Sequence, residues 1–163
     1  MTQPPLIVDG HEDLALNILC AGRDYRRSVR ETRAREADSP SHRQHAGLAT
    51  LGLPEWIAGR VAVIFATIFT EPARSKFSNG FCDVYETAEQ AYQIARRQLE
   101  VYRGLTEPGQ PFRLVRTAAD LDAVLATWDG EQSRQVGLVL LIAAIGQRRR
   151  PQDEAVDLQK HEK

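Results

Sequence analysis

The 163-residue sequence contains only two cysteines and carries almost no net charge, −1 at pH 7. Without an excess of basic residues, the chain as a whole has no electrostatic reason to bind nucleic acid or an acidic membrane. Cys20 and Cys82 lie far apart and form no C-x-x-C pair. Few, widely spaced cysteines are typical of thiols in a reducing compartment, so we predict free thiols rather than a disulfide framework.

Long hydrophobic segments are also absent. The longest apolar runs, at 61–69 and 136–145, are far too short to span a bilayer. Residues 1–5 carry no lysine or arginine, and no apolar segment of signal-peptide length follows them before Asp9. We therefore expect a cytoplasmic protein without a membrane partner.

Three apolar runs alternate with amphipathic segments along the chain. The runs predict buried strands at 6–8, 61–69 and 136–142, and apolar residues at helical spacing predict helices at about 84–103 and 118–128. Nearly continuous apolar strands that alternate with helices indicate an α/β fold with parallel pairing. Because a closed β/α barrel has eight strands, three such units form either a small open sheet or part of a barrel.

A capping signal lies at the start of each predicted helix. Asp83 and Glu86 form a pair with the spacing of a capping box, which predicts the start of the first helix. Thr117 and Asp120 have the same spacing before the second helix. These pairs predict where each helix begins.

The segment 23–43 is rich in arginine, with acidic residues interleaved. A nucleic-acid patch and a solvated helix are the two interpretations. The acids, and the lack of an aromatic platform, favour a helix with pairs such as Glu31 and Arg35 at i,i+4. His42 and His45, at the end of this stretch, are interpreted as loop histidines rather than as a metal pair.

The sequence feature most relevant to chemistry is His11-x-Asp13, which directly follows the first predicted strand. Parallel α/β folds build their sites at the carboxyl ends of strands, and residues two apart in an extended segment point the same way. An imidazole nitrogen and a carboxylate oxygen so placed can bind one cation together. The alternative is a capping aspartate beside a surface histidine.

The stretch 6–17, LIVDGHEDLALN, resembles the opening of the membrane (renal) dipeptidase family of zinc metallopeptidases, whose first barrel strand begins D-G-H-x-D-L. Residues 60–70 resemble that family's second strand, and 87–104 resemble the helix after it. Residues 112–127 resemble the segment before strand three, and 136–142 resemble strand three itself. The resemblance covers most of 6–142 and corresponds to the N-terminal portion of such a protein.

The resemblance implies the first three β/α units of a truncated TIM-type (β/α)8 barrel, as a single partial metallo-dependent hydrolase domain over 1–163. It also implies a site for two zinc ions, with His11 and Asp13 as metal ligands. The intact enzyme would hydrolyse a dipeptide with a metal-activated water. We assign no further catalytic residue, expect no nucleic-acid or membrane partner, and allow for a homodimer.

The sequence departs from the family pattern at 143–163. In the family a glutamate at the end of strand three bridges both metals; by register it falls at Ala143, whose methyl group cannot bind a cation. Histidines on later strands complete the family's site, whereas His161 lies in the polar tail and does not itself match a family motif. The resemblance fails at 143–148 and returns at 149–155, as compensating frameshifts or a sequencing error would produce; ordinary divergence is the alternative.

Three functional hypotheses follow. The chain is the N-terminal fragment of a zinc-dependent dipeptidase, inactive by itself; or it is a non-catalytic fragment or pseudoenzyme that acts as an interaction module; or it belongs to a related metal-dependent amidohydrolase. A His-x-Asp rather than a His-x-His pair favours the dipeptidase over the amidohydrolase. Ala143 favours the non-catalytic hypothesis for this particular chain.

Overall fold

The computed structural model describes residues 4–40, 42–75, 80–130 and 133–144. Three helices follow the first strand, single helices separate later strands, and a short π-helical turn lies at His42–Ala46. The elements are β1 (Ile7–Glu12), α1 (Leu14–Ala21), α2 (Val29–Glu36), α3 (Leu53–Ala58), β2 (Val61–Pro72), β3 (Val84–Tyr85), α4 (Ala88–Leu105), β4 (Phe112–Leu114), α5 (Ala118–Ala126) and β5 (Val136–Ala144).

The strands form one parallel sheet in the order β1-β2-β5-β4, with β3 paired to the end of β2. The three predicted strands are therefore confirmed as adjacent and parallel, and the fold is an α/β sheet. Strand β1 extends beyond the predicted 6–8 to Glu12, so that His11 lies within it. Sequence reasoning missed β4, because three residues are too few to form a recognisable apolar run.

The core lies where the helices cover the sheet. Ile64 of β2 and Leu138 of β5 are fully buried and paired across the two strands. Trp56 of α3 packs edge-on against Phe112 of β4, with ring centroids 6.1 Å apart. Each Å² of apolar surface removed from water stabilises the folded state by about 25 cal/mol. Burial of these side chains therefore holds the helices on the sheet.

Helix α4 begins later than the sequence predicts. The capping box is formed by Thr87, whose hydroxyl accepts a hydrogen bond from the Gln90 backbone, while the Gln90 side chain accepts one from the Thr87 backbone. The predicted pair at Asp83 and Glu86 is therefore wrong, since Asp83 instead forms an ion pair with Arg97 on the helix surface. The pair Thr117 and Asp120 does cap α5 and is confirmed.

The arginine-rich segment contains the predicted helix as α2. Ser28 and Glu31 form its capping box, so the Glu31 carboxylate accepts hydrogen bonds from Ser28. Arg23 pairs with Glu36 at 2.8 Å, and both of these side chains are largely buried. Arginines of this segment therefore help to build the fold, which supports the structural interpretation over a nucleic-acid patch.

The prediction of free thiols is wrong, because Cys20 and Cys82 form a disulfide with Cα atoms 5.3 Å apart. Cys20 lies in the last turn of α1, and Cys82 lies in the segment that precedes β3. Helix α1 packs against β2, and the segment after β2 returns beside that helix. Contact between two residues 62 apart in sequence follows from this packing, which cysteine spacing does not reveal.

The atypical tail predicted at 143–163 lies outside the described residues from 145 onward, as does His161. Among the residues that the structure describes, no helix is both long and apolar enough to cross a membrane.

Candidate metal centre at the carboxyl end of β1

The structure brings His11 and Asp13 together where β1 passes into α1. His11 is the penultimate residue of β1, and Asp13 occupies the N-cap position of α1. The His11 Nε2 and Asp13 Oδ1 atoms are 3.5 Å apart, and 56% and 34% of the two side chains are exposed. The imidazole nitrogen and the carboxylate oxygen are thus close enough to bind one cation together, and both side chains are accessible to it.

The capping alternative for Asp13 is not supported by the geometry. Although Asp13 is the N-cap residue of α1, its side chain accepts no hydrogen bond from the first turn of the helix. Its carboxylate instead accepts a hydrogen bond from the hydroxyl of Thr67, which also donates to the backbone carbonyl of Glu12 at 3.0 Å. Asp13 is therefore held toward β2 and His11, away from its own helix.

Thr67 connects this site to the buried part of the sheet. It is fully buried in β2, and its carbonyl accepts a hydrogen bond from the Tyr102 hydroxyl at 2.6 Å. The same hydroxyl accepts a hydrogen bond from the Ala15 backbone at 3.2 Å. Tyr102 of α4 therefore joins β2 to the first turn of α1 directly behind Asp13, which fixes the position of the carboxylate.

Acidic groups surround the pair. The pKa of Glu12 is raised to about 8, chiefly by burial, with further contributions from a hydrogen bond to Asp9 and from the charges of Asp9 and Asp13. The Asp9 carboxylate also accepts a hydrogen bond from the His11 backbone at 3.2 Å. The carboxylates of Asp9 and Asp13 produce a negative environment next to the imidazole that favours a bound cation, whereas Glu12, with its raised pKa, is mainly protonated at neutral pH.

The donor set fits only part of a metal site. His11 and Asp13 supply the nitrogen and oxygen ligands that zinc accepts, but catalytic zinc sites usually have three protein ligands. Within residues 4–40, 42–75, 80–130 and 133–144, no group of three or more His, Cys, Asp or Glu side chains is arranged to hold a metal ion.

The position expected for the bridging glutamate is Ala143, which pairs with Phe69 of β2. Paired residues in a parallel ladder share a face, and faces alternate along a strand. Ala143 therefore lies on the same face of the sheet as Thr67, the residue that holds Asp13. The location suits a ligand, whereas the methyl side chain does not.

His42 and His45 lie outside this site. The His42 ring is hydrogen-bonded to Ser39 Oγ at 2.6 Å and to the Ala21 carbonyl at 2.7 Å, and the His45 ring stacks on Phe81. They are in the π-helical turn rather than in the predicted loop, and both ring nitrogens of His42 are already hydrogen-bonded. Sequence reasoning did not identify Thr67 and Glu12 as parts of the site. The one available signal was a threonine inside the otherwise apolar run 61–69.

No protein-family model and no curated protein matches the sequence. Two solved structures are similar to it. A crystal structure of dipeptidase AC, a metallopeptidase of family M19, is 21% identical with a TM-score of 0.49, over 95% of this chain and 39% of that one. A metallopeptidase from Rhodobacter sphaeroides, liganded with a phosphinate mimic of the dipeptide L-Ala-D-Ala, is 19% identical with a TM-score of 0.48, over 95% of this chain and 42% of that one. The chain thus spans about two fifths of the length of these metallopeptidases.

Proposed function

We propose that this chain supplies the first metal-binding elements of a zinc-dependent dipeptidase with a β/α-barrel fold, and that its 163 residues alone do not hydrolyse dipeptides. The observation that carries the proposal is the approach of His11 Nε2 to Asp13 Oδ1, 3.5 Å, at the carboxyl end of a strand in a parallel sheet. The resemblance of residues 6–17 to the dipeptidase family supports the same assignment.

His11 and Asp13 would each provide one ligand. When bound, zinc would lower the pKa of a water molecule and polarise the scissile carbonyl of the dipeptide. Thr67 keeps the Asp13 carboxylate turned toward His11, because its hydroxyl donates a hydrogen bond to it. The chain's own contribution is therefore to hold two ligands in place before the metal arrives.

Catalysis requires more than this pair. With Ala143 where a shared carboxylate is expected, the described residues contain no group of three or more His, Cys, Asp or Glu side chains that could hold a second ion beside the first. We therefore expect weak binding of a single zinc ion and no useful turnover.

Calorimetric zinc titration of the chelator-treated protein, combined with an assay for amino acids released from a dipeptide, tests the proposal. The parent chain should bind zinc weakly, His11→Ala should abolish that binding, and His45→Ala should leave it unchanged, because His45 lies outside the pair. Zinc binding that survives His11→Ala would contradict the ligand assignment. Zinc-dependent release of amino acids by the parent chain would contradict the proposed inactivity.

A second candidate function is a non-catalytic interaction module. Ala143 favours it, as does the exposure of apolar side chains on the sheet, with Ile142 77% and Val8 59% exposed. Zinc binding through His11 separates the two candidates, since an interaction module has no need of a metal.

A further inference from the structure

A cavity of about 170 Å³ lies between α1, the carboxyl end of β2 and the segment that contains Phe81. Its apolar walls are Leu16, Phe69 and Phe81, and its polar groups are Asn17, His45 and Glu71. Cys82 also lines it, so the disulfide to Cys20 holds one wall against α1. The cavity is not used by the metal pair described above.

The cavity adjoins the candidate metal centre on two sides. On α1, the side-chain amide of Asn17 donates a hydrogen bond to the Asp13 carbonyl at 3.0 Å. On β2, Phe69 is two residues from Thr67, which donates to the Asp13 carboxylate. These two connections place the cavity at the same end of the sheet as His11 and Asp13.

The charge of the cavity comes from Glu71. It is the only carboxylate among the described lining residues, and its side chain has no ion pair or hydrogen bond within the described part of the chain. The His45 and Phe81 rings stack nearby with centroids 5.5 Å apart. A half-buried carboxylate next to an aromatic face favours a cation, both through its charge and through the ring quadrupole.

The size of the cavity indicates which cation it suits. An ammonium group is about the size of a water molecule, which occupies about 30 Å³ in the liquid. The 170 Å³ available is several times larger, yet well below the volume of pockets that enclose a whole drug-sized ligand. A flexible apolar stem with a charged end fits both the volume and the apolar walls.

We infer that this cavity binds the basic side chain of a dipeptide, with Glu71 as its counter-ion and Leu16, Phe69 and Phe81 around the aliphatic stem. This inference rests on the proposed function and adds a substrate class to it, namely dipeptides with a lysine or arginine residue. Glu71 is thereby a specificity-determining residue, without a part in the metal chemistry.

NMR titration of the chelator-treated full chain with lysyl-glycine, norleucyl-glycine and alanyl-glycine tests the inference without requiring metal or turnover. Lysyl-glycine should bind about tenfold more tightly than norleucyl-glycine, since only the former has a side-chain ammonium group that can form a charge-assisted hydrogen bond with Glu71. Its titration should shift the amide signals of Asn17 and Phe81. Glu71→Gln should remove most of the preference, whereas Glu86→Gln, the same change at an exposed position outside the cavity, should preserve it.

Equal affinity for lysyl-glycine and norleucyl-glycine, no binding of either, or a preference that survives Glu71→Gln would overturn the inference. If alanyl-glycine binds as tightly as lysyl-glycine and loses affinity in Glu71→Gln, the cavity binds the α-ammonium group, which also contradicts the assignment to the side chain. Because the zinc titration depends on His11 and this titration on Glu71, failure of the metal site and failure of the cavity are distinguishable.

Discussion

At the scale of single residues, the carboxyl group of Glu12 links the local electrostatics to the stability of the fold. Its pKa is raised from 4.5 to about 8, chiefly by burial. A raised pKa means that the folded state holds the proton more tightly than the unfolded state. Glu12 therefore stabilises the fold fully below about pH 4.5 and loses that contribution as the pH rises toward 8.

Glu12→Gln should remove this pH dependence. In the absence of metal, a rise from about pH 5 to about pH 9 should increase the free energy of unfolding of the variant by about 1 kcal/mol relative to that of the parent. This value allows for solvent screening of a half-buried group. Urea unfolding at both pH values measures this, with Glu107→Gln at an exposed position as the control. Parallel pH profiles for parent and Glu12→Gln would show that Glu12 titrates normally.

Gln98 is the buried polar residue on which the end of β2 depends. Its side chain accepts a hydrogen bond from the Phe69 backbone N–H at 2.9 Å and donates one to the Phe69 carbonyl at 2.5 Å. The side-chain amide thus takes the place of a neighbouring strand where β1 has already ended.

Gln98→Met preserves the volume but leaves two backbone groups without partners. The free energy of unfolding should fall by about 2–6 kcal/mol, given about 1–3 kcal/mol for each of the two unsatisfied buried groups. Denaturant unfolding measures the change, and Gln93→Met on the exposed side of α4 should alter stability much less. A similar loss in both variants would mean that the bonds to Phe69 contribute nothing specific.

At the scale of elements, the start of α4 is defined by Thr87 rather than by Asp83. Thr87→Ala should lower the free energy of unfolding by about 1 kcal/mol, as for other N-cap threonines, and Thr87→Ser should restore most of it. Asp83→Ala removes only an exposed ion pair with Arg97, so its effect should be smaller. If Asp83→Ala proves the more damaging change in thermal unfolding, the sequence-based prediction of the cap was right.

The elements differ in how far the sequence predicts them. Strands β2 and β5 and helix α5 were predictable, because long apolar runs and a Thr-x-x-Asp cap are local signals. Strand β4 and the contact of Cys20 with Cys82 were not, since each depends on where other elements pack. The same holds for the site, where the His11-x-Asp13 spacing is local but the hydrogen bond from Thr67 depends on strand pairing.

At the scale of the whole molecule, the disulfide closes a loop that contains α2, α3 and β2. Cys20 and Cys82 are 62 residues apart, so the bond restricts a large part of the unfolded chain. By loop entropy it should stabilise the fold by about 4 kcal/mol. Urea unfolding with and without reductant measures this difference, and Cys20→Ser should behave like the reduced protein and be insensitive to reductant. Two reactive thiols in the native, unreduced protein would contradict the disulfide and support the sequence-based prediction of free thiols.

The parallel sheet places a two-ligand pair at one end and an alanine on the same face two strands away. We propose on this basis that the chain carries part of a metal site, with two ligands and without a third among the described residues.

The zinc affinity of Ala143→Glu tests this claim most directly. A glutamate at this position would lie on the Thr67 face of the sheet, and we expect it to supply a third ligand together with His11 and Asp13. Calorimetric titration should show zinc binding at least about tenfold tighter than in the parent chain, and the additional change Asp13→Ala should cancel the gain, because the ligands act on one ion. Unchanged affinity in Ala143→Glu, or a gain that persists without Asp13, would contradict the account.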